Sequence, residues 1–282
     1  MEKPGFYHIC RVHILTPHIS VFILAPLANG AFFCIFNIVN RVFMQQIALE
    51  NLFLIDIETV SGSQHYHLLD DIWKELWTEK VFKSLPPDTT PEQYYPMRAA
   101  ILAEFAKVVC ISIGYFKREN NEWQLRIKSF YSENEKEVLN GFIAMLQQLH
   151  SKNSRWVFTG HNIKEFDIPF LCRRMLVNNI EIPRYIDFQN MKPWETPVLD
   201  TLHLWRFGDY KHYTSLKLLA AALGVPSPKY DIDGSKVGEV FWTEKDLERI
   251  ALYCQKDVAT VANVILRFKN LPLLGNEQII FC

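Results

Sequence analysis

The chain has 282 residues, of which 49% are hydrophobic and 22% charged, and its formal net charge is -1 at pH 7. This composition suits a globular α/β protein with a well-filled core, and the near-zero charge argues against a protein that coats nucleic acid through a basic surface. The six cysteines form no Cys-X-X-Cys pair and no zinc spacing, so we expect a reduced, cytoplasmic location.

The first 43 residues differ in composition from the rest. No acid occurs between Glu2 and Glu50, and residues 12–40 contain no Lys, Arg, Asp or Glu. Residues 19–39 are long enough to cross a bilayer, although proline, glycine and asparagine interrupt them. We expect residues 1–43 to be an apolar extension outside the fold and residues 44–282 to form one domain. A membrane anchor through residues 19–39 is the less favoured alternative, and a native start at Met44 is also open.

Residues 52–59 predict a buried β-strand. Four apolar residues lead into Asp56, Ile57 and Glu58, which is typical of a buried strand. Because residues two apart on a strand face the same way, the two acids project side by side where the strand ends. Adjacent carboxylates repel each other in a dry setting unless a cation holds them. A solvated strand end is the alternative, since so short a pattern is common.

The next segment predicts helices. His65 and His67 favour a solvated or packing role over metal binding, because no third ligand is near in sequence. Residues 68–82 have helical periodicity and predict an amphipathic helix with Trp73 and Trp77 on its buried side. The tryptophans are alternatively available for stacking on bases. A second helical stretch is expected at residues 94–105.

Strands and helices then alternate. Strands are predicted at residues 107–116, 122–131 and 155–159, and a helix at residues 132–150. Strands followed by helices in this order imply a mixed sheet covered by helices on both faces.

A single acid, Asp167, stands near the start of the following helix. It either complements the helix dipole or faces a ligand crevice at the carboxyl end of the sheet. Arg173 and Arg174 come next, and phosphate contact and a solvated helix face are equally open for them. Asp200 is expected to cap the helix after it rather than to join an acidic cluster.

The last long helix is predicted to open at Thr243 with a capping pattern and to continue to about Lys269. On it, Tyr253 and Asp257 are separated by four residues. They therefore share a helix face, and phenol and carboxylate point into one pocket.

Together these residues resemble the tyrosine branch of the DEDD superfamily of 3′–5′ exonucleases. The three motifs of that superfamily match Asp56-Ile57-Glu58-Thr59, Asn162 through Phe166-Asp167, and Tyr253 through Asp257. Within the branch, residues 103–107, 160–162 and 233–235 are similar to the exonuclease domain of family B DNA polymerases. The resemblance covers about residues 52–269.

The resemblance implies a ribonuclease H-like α/β fold, with a mixed sheet flanked by helices on both faces. It also implies hydrolysis of single-stranded DNA or RNA at 3′ ends, with DNA favoured, to nucleoside monophosphates. A non-catalytic nucleic-acid-binding scaffold of the same fold and a membrane-tethered nuclease are the alternatives. The intact acids and tyrosine argue against the scaffold.

The resemblance further assigns roles to individual residues. Two divalent cations, Mg²⁺ or Mn²⁺, would be held by Asp56, Glu58, Asp167 and Asp257, because both ions prefer carboxylate oxygens. Tyr253 would orient the attacking water, since a phenol with a pKa of about 10 is a poor base. The expected substrate contacts are Thr59, His161, Asn162 and Phe166. No nucleotide cofactor is expected.

Overall fold

A computed structural model describes residues 47–152, 156–192, 195–209, 211–226 and 231–282, together with the backbone of residues 10–11 and 22–23. The chain divides into two compact units, Met1–Ile47 and Ala48–Cys282. In the first unit, strand β1 (Cys10–Arg11) pairs antiparallel with β2 (Phe22–Ile23). Except for residues 22–23, the stretch 19–39 lies outside the described residues. Within the described part, no helix is long and apolar enough to cross a membrane.

The second unit is built on a six-stranded mixed sheet. The strands are β3 (Leu52–Ser61), β4 (Ala106–Glu119), β5 (Glu122–Tyr131), β6 (Val157–Gly160), β7 (Val198–Asp200) and β8 (Ile279–Phe281). Their order in the sheet is β7-β6-β3-β4-β5-β8. Strand β4 is antiparallel to β3 and β5, whereas β6 is parallel to β3, β7 to β6, and β8 to β5. The strand predicted at residues 52–59 is present as β3 and lies between β6 and β4.

The helices connect the strands and cover the sheet. In chain order they are α1 (Asp71–Val81), α2 (Pro91–Arg98), α3 (Glu135–Lys152), α4 (Asp167–Val177), α5 (Thr201–Arg206), α6 (Leu216–Ala222), α7 (Val237–Glu239) and α8 (Leu247–Phe268). A π-helical turn (Val240–Glu244) lies between α7 and α8.

Both faces of the sheet are covered by helices. On one face, Ile55 and Ile57 of β3 share a core cluster with residues of α3 and α4. On the other face, Val60 of β3 packs with residues of the α7–α8 region. Gly114 of β4 lets α8 approach closely, because a Cβ there would lie 2.7 Å from a methyl carbon of Val258. The α/β class and the mixed sheet with helices on both faces, predicted from the sequence, are confirmed.

The connection between β3 and β4 corrects two predictions. Trp77 is fully buried, with ring centroids 5.0 Å from Tyr95 and 5.1 Å from Phe105. Trp73, predicted to be buried, is 41% exposed, with its ring centroid 5.6 Å from that of Phe105 in an edge-to-face arrangement, because the fully buried Trp77 occupies the interior position beside Phe105. The predicted helix at residues 94–105 is too long. Helix α2 ends at Arg98, and a 3₁₀ turn follows it.

The start of α8 also differs from the prediction. Thr243 lies inside the π-helical turn and is not a cap. Lys245 adopts a left-handed conformation with φ of 60°, which ends that turn. Asp246 then caps α8, because its side chain accepts a hydrogen bond from the main-chain N–H of Arg249 at 3.0 Å.

Neither role predicted for Arg174 is correct, because this side chain is buried against Glu135. Its Nε and Nη2 donate to the two Glu135 carboxylate oxygens at 2.8 and 2.6 Å, and its Nη1 donates to the carbonyl of Ala103 at 2.8 Å. Glu135 also accepts the main-chain N–H of Val108. This buried pair ties α3 and α4 to β4. Arg173, its neighbour, is exposed.

The substitution Arg174→Ala is expected to lower the free energy of unfolding by about 3–5 kcal/mol, because it leaves Glu135 buried without its cation. Urea unfolding followed by circular dichroism measures the loss. Arg173→Ala is the matched control and should change stability by less than about 0.5 kcal/mol. Equal effects of the two substitutions would contradict the structural role of the pair.

We also expect residues 44–282 to fold without the preceding segment. The described sheet, with all of its strands from β3 onward, lies within this range. Expression of residues 44–282 should give a protein that unfolds cooperatively, with a melting temperature within about 3 °C of the full chain, a shift of roughly 1 kcal/mol. An aggregated product, or one without a cooperative transition, would show that the first residues are structural.

Candidate active site

The end of β3 places two carboxylates on the face of the sheet that α8 covers. Asp56 lies opposite Ser112 of β4 and Glu58 opposite Cys110, and a β-bulge follows between Glu58 and Thr59. Asp56 is half-buried and Glu58 is 8% exposed. The spacing of two residues, read from the sequence, therefore gives two acids on one face.

Helix α8 lies against this pair through Cys254. The Cys254 thiol donates to Asp56 Oδ2 at 3.2 Å and lies 3.3 Å from the Asp56 carbonyl oxygen. Asp257 follows one turn later, and its negative charge raises the pKa of both Asp56 and Glu58. Cys254 was missed in the sequence, although its place three residues before Asp257 puts it on the same helix face.

Asp167 reaches the same place from the opposite side. It is the first residue of α4 and is 4% exposed. The pairing of β6 with β3 covers Leu52–Leu54 only, so the N–H of Ile57 is available and donates to the Asp167 carboxylate. Ile57 lies between Asp56 and Glu58 in the chain, so this hydrogen bond holds the Asp167 carboxylate near those two acids.

The four carboxylates share one desolvated environment. Burial, followed by the charges of Asp257 and Asp167, raises the pKa of Asp56. Burial and the charge of Asp56 raise the pKa of Glu58. Burial raises the pKa of Asp167 to about 8, and the charges of Asp200 and Asp257 contribute. Clustered buried carboxylates of this kind cost free energy when all are ionised.

This arrangement fits a divalent cation. One ligand atom from each of Asp56, Glu58 and Cys254 lies within 4.8 Å of the others. Carboxylate oxygens suit hard ions such as Mg²⁺ and Mn²⁺, and a cation would offset the repulsion that raises the pKa values. The Cys254 thiol is itself buried and its pKa is raised by that burial, so it acts here as a neutral donor to Asp56.

Tyr253 lies on α8 beside this cluster. The side chain is half-buried and packs against the core that contains Val60 and Cys254. A Cβ at Gly234 would lie 4.0 Å from its hydroxyl oxygen. The phenol therefore faces the loop at residues 233–235, one of the stretches that the sequence singled out.

The four predicted substrate contacts differ in whether their polar groups are already hydrogen-bonded within the protein. The Thr59 hydroxyl donates to the carbonyl of Ala100 at 2.7 Å. Both ring nitrogens of His161 are used within the protein, with Thr201 Oγ1 and the Thr214 carbonyl each at 2.9 Å. Burial lowers the pKa of His161, so the ring is neutral near pH 7. His161 is therefore placed to orient its loop.

The other two contacts, Asn162 and Phe166, lie in the turn before α4. Asn162 has a left-handed backbone with φ of 64°. Its Oδ1 is buried and has no hydrogen-bond partner among the residues that the structure describes. Phe166 is half-buried, with its ring centroid 5.1 Å from that of Phe170.

Asp200 holds this turn in place. It caps α5, as predicted, by accepting the N–H of Leu202 at 2.9 Å. It also accepts the N–H groups of Asn162 and Lys164 at 2.9 and 3.0 Å, which the sequence did not indicate. Gly160 is required at the start of the turn, because a Cβ there would meet the Ile55 carbonyl at 2.8 Å. One buried acid at the end of β7 thus sets the path by which the chain reaches Asp167.

The fold described above, an α/β sheet with a carboxylate cluster at its centre, is similar to that of known proteins. A family model described as a predicted 3'-5' exonuclease related to the exonuclease domain of PolB matches residues 101–273. This is more than half of the chain, and the chain belongs to that family. The expected relationship to the exonuclease domain of family B DNA polymerases is confirmed. The match includes Asp167, Tyr253 and Asp257, whereas β3 with Asp56 and Glu58 precedes it.

The family B DNA polymerase from the hyperthermophilic archaeon Pyrobaculum calidifontis is similar in structure, with 18% identity and a TM-score of 0.42. The similarity covers 74% of this chain and 23% of the polymerase, so the chain spans about a quarter of the length of that protein. No curated protein matches the chain.

The acidic cluster predicts how stability depends on pH without metal. The folded-state pKa of Asp167 is about 8, against an ordinary value of 3.8, so between these pH values the folded protein binds more protons than the unfolded chain. The Asp167 carboxyl therefore contributes stability that is lost as the pH rises toward 8. In EDTA, the melting temperature should decrease from pH 5 to pH 8, and Asp167→Asn should reduce this decrease.

The exposed acid Asp71 supplies the control, since Asp71→Asn should leave the pH dependence as in the wild type. Differential scanning fluorimetry across the pH range measures all three proteins. A melting temperature that is constant or rises with pH in EDTA would show that the Asp167 carboxyl is not held protonated by its surroundings.

Proposed function

We propose that this chain is a metal-dependent 3′–5′ exonuclease that hydrolyses single-stranded nucleic acid, with DNA favoured, to nucleoside monophosphates. The observation that supports it best is the convergence of Asp56, Glu58, Asp167 and Asp257 from β3, α4 and α8 into one desolvated cluster. Each element alone has a structural explanation. Their meeting costs free energy when all four are ionised, and bound cations would offset that cost.

In this proposal the four acids hold two divalent cations, Mg²⁺ or Mn²⁺, with Asp56 shared between them. When bound, such ions provide Lewis acidity and lower the pKa of a coordinated water. Asp167 is held by the N–H of Ile57, and the thiol of Cys254 holds one oxygen of Asp56 at 3.2 Å. Both contacts fix the direction in which a carboxylate can bind.

Tyr253 would orient the attacking water by hydrogen bonding. An ordinary phenol has a pKa of about 10, so it is protonated at neutral pH and donates a hydrogen bond rather than accepting a proton. Tyr253 lies one helical turn before Asp257, and its hydroxyl faces the loop at residues 233–235.

The turn between β6 and α4 would receive the end of the strand. The buried Oδ1 of Asn162 has no partner in the described part of the protein, and a sugar hydroxyl would satisfy this acceptor. Asp200 fixes Asn162 in its left-handed conformation by accepting its N–H. Phe166 presents a half-buried ring next to it. Thr59 and His161 would stabilise the backbone around the site instead of contacting the substrate through their polar groups, because those groups are hydrogen-bonded within the protein.

Tyr253→Phe should lower the single-turnover rate by a factor of roughly 10 to 10³, the range for a lost positioning or proton-transfer contribution. Affinity for the oligonucleotide in Ca²⁺ should stay the same, because the ring is retained. Tyr131→Phe, at an exposed position on β5, is the control. An unchanged rate would remove Tyr253 from the mechanism, and a lost affinity with a normal rate would reassign it to substrate binding.

The activity itself is tested with 5′-labelled single-stranded DNA and RNA in Mg²⁺, Mn²⁺ or EDTA. The proposal predicts a ladder that shortens from the 3′ end with either metal, no shortening in EDTA, and an intact circular single strand. Asp257→Asn should abolish the ladder while the protein remains folded. Cleavage of the circle, shortening from the 5′ end, or the absence of any hydrolysis by the wild type would refute the proposed reaction.

A further inference from the structure

Two lysines converge over an aromatic pair beside the end of β3. The Lys107 Nζ lies 4.4 Å from the ring centroid of Phe241 and 4.7 Å from that of Trp242. The Lys245 Nζ lies 5.4 and 5.1 Å from the same two rings. Lys107 comes from β4 and Lys245 from the left-handed residue after the π-helical turn, so distant parts of the chain bring the two ammonium groups together.

Two acids, Glu133 and Glu135, act on Lys107 through their charges without forming an ion pair with it. Across the described ranges, neither Lys107 nor Lys245 forms an ion pair with an acidic side chain, and Lys107 Nζ donates only to the carbonyl of Glu133 at 3.4 Å. The neighbouring acid Glu244 is engaged by Arg249. Burial lowers the pKa of Lys107, the charges of Glu133 and Glu135 raise it, and the charge of Lys245 lowers it. The aromatic faces attract both cations, yet an anion between them would be more favourable.

The location links this lysine pair to the acidic cluster. Lys107 is the partner of Val60 across the antiparallel ladder, and Val60 is two residues beyond Glu58 on the same strand. The bulge after Glu58 keeps Lys107 on the face that Glu58 occupies. Two residues along a strand span about 7 Å. The Trp242 indole N–H donates to Ser61 Oγ at 3.3 Å and so fixes the ring at the end of β3.

We propose that Lys107 and Lys245 bind a non-scissile phosphate of the substrate strand, while Phe241 and Trp242 hold the two side chains in place. The proposal rests on the proposed function, because it assigns the position of a second phosphate relative to the carboxylates that act on the first. Two ammonium groups suit a phosphate as point charges. A bound anion would relieve the repulsion between the two lysines, so the pair favours a phosphorylated ligand over an uncharged one.

The first experiment measures affinity for a single-stranded oligonucleotide in Ca²⁺ as a function of salt concentration. The double variant Lys107→Gln/Lys245→Gln should bind roughly tenfold more weakly than the wild type, the loss for a charge-assisted contact. The slope of log affinity against log salt should also fall by about 0.7, the contribution of one phosphate on a single strand. A purely structural role for the lysines would leave the salt slope unchanged and would overturn the proposal.

Lys117→Gln is the matched control. Lys117 lies on the same strand, about 33 Å from Lys107 at the usual rise per residue, and it is exposed beside Glu119. Its substitution should change neither the affinity nor the salt slope. Melting temperatures of all variants establish that each is folded. A loss in Lys117→Gln as large as in the double variant would mean that overall charge, and not the lysine pair, governs binding.

The second experiment identifies the phosphate. Single methylphosphonates, which lack the charge, are placed in turn along the oligonucleotide. At one position the wild type should lose affinity roughly tenfold. The double variant has already lost this contact, so the same methylphosphonate should cause no further loss of its affinity. Equal losses in both proteins at every position would overturn the proposal while leaving the exonuclease activity intact. Failure of the exonuclease would appear separately, as the absence of hydrolysis by the wild type in Mg²⁺ or Mn²⁺.

Discussion

Electrostatic repulsion among four clustered carboxylates is the constraint on which this structure depends. The charge of Asp257 raises the pKa of Asp56, Glu58 and Asp167, each of which is also desolvated by the surrounding protein. A protein without a ligand for them would gain stability by replacing any one. Their retention in one place is therefore best explained by cations, and the remaining features serve to hold the acids in position. The central strand presents two of them, and the helices on either side bring one each.

The supports of the cluster are themselves buried polar contacts. Asp200 fixes the turn that leads to Asp167 by accepting two of its main-chain N–H groups. The Arg174–Glu135 pair ties the helix that carries Asp167 to the sheet. Cys254 holds Asp56 from the helix that carries Asp257. Because a buried polar group without its partner is costly, each contact makes the position of one acid depend on the fold around it.

Local patterns in the sequence predicted the sheet, the strand that carries Asp56 and Glu58, and the face that Tyr253 shares with Asp257. The remaining features depend on tertiary contacts. Trp73 is exposed because Trp77 occupies the space beside Phe105, and no periodicity distinguishes the two tryptophans. Arg174 and its neighbour Arg173 look alike until Glu135, 39 residues away, is placed opposite one of them. The lysine pair likewise joins residues from distant segments, which the sequence alone does not bring together.

The number of divalent cations bound per chain tests whether the carboxylate cluster is a metal centre. Isothermal titration of metal-free protein with Mn²⁺ should show two ions bound per chain, accompanied by release of protons from the carboxyls and a rise in melting temperature. Asp56→Asn should abolish binding of both ions, since Asp56 is proposed to be shared between them. If the wild type binds no Mn²⁺, or if Asp56→Asn binds it as the wild type does, the carboxylate cluster is not a metal centre.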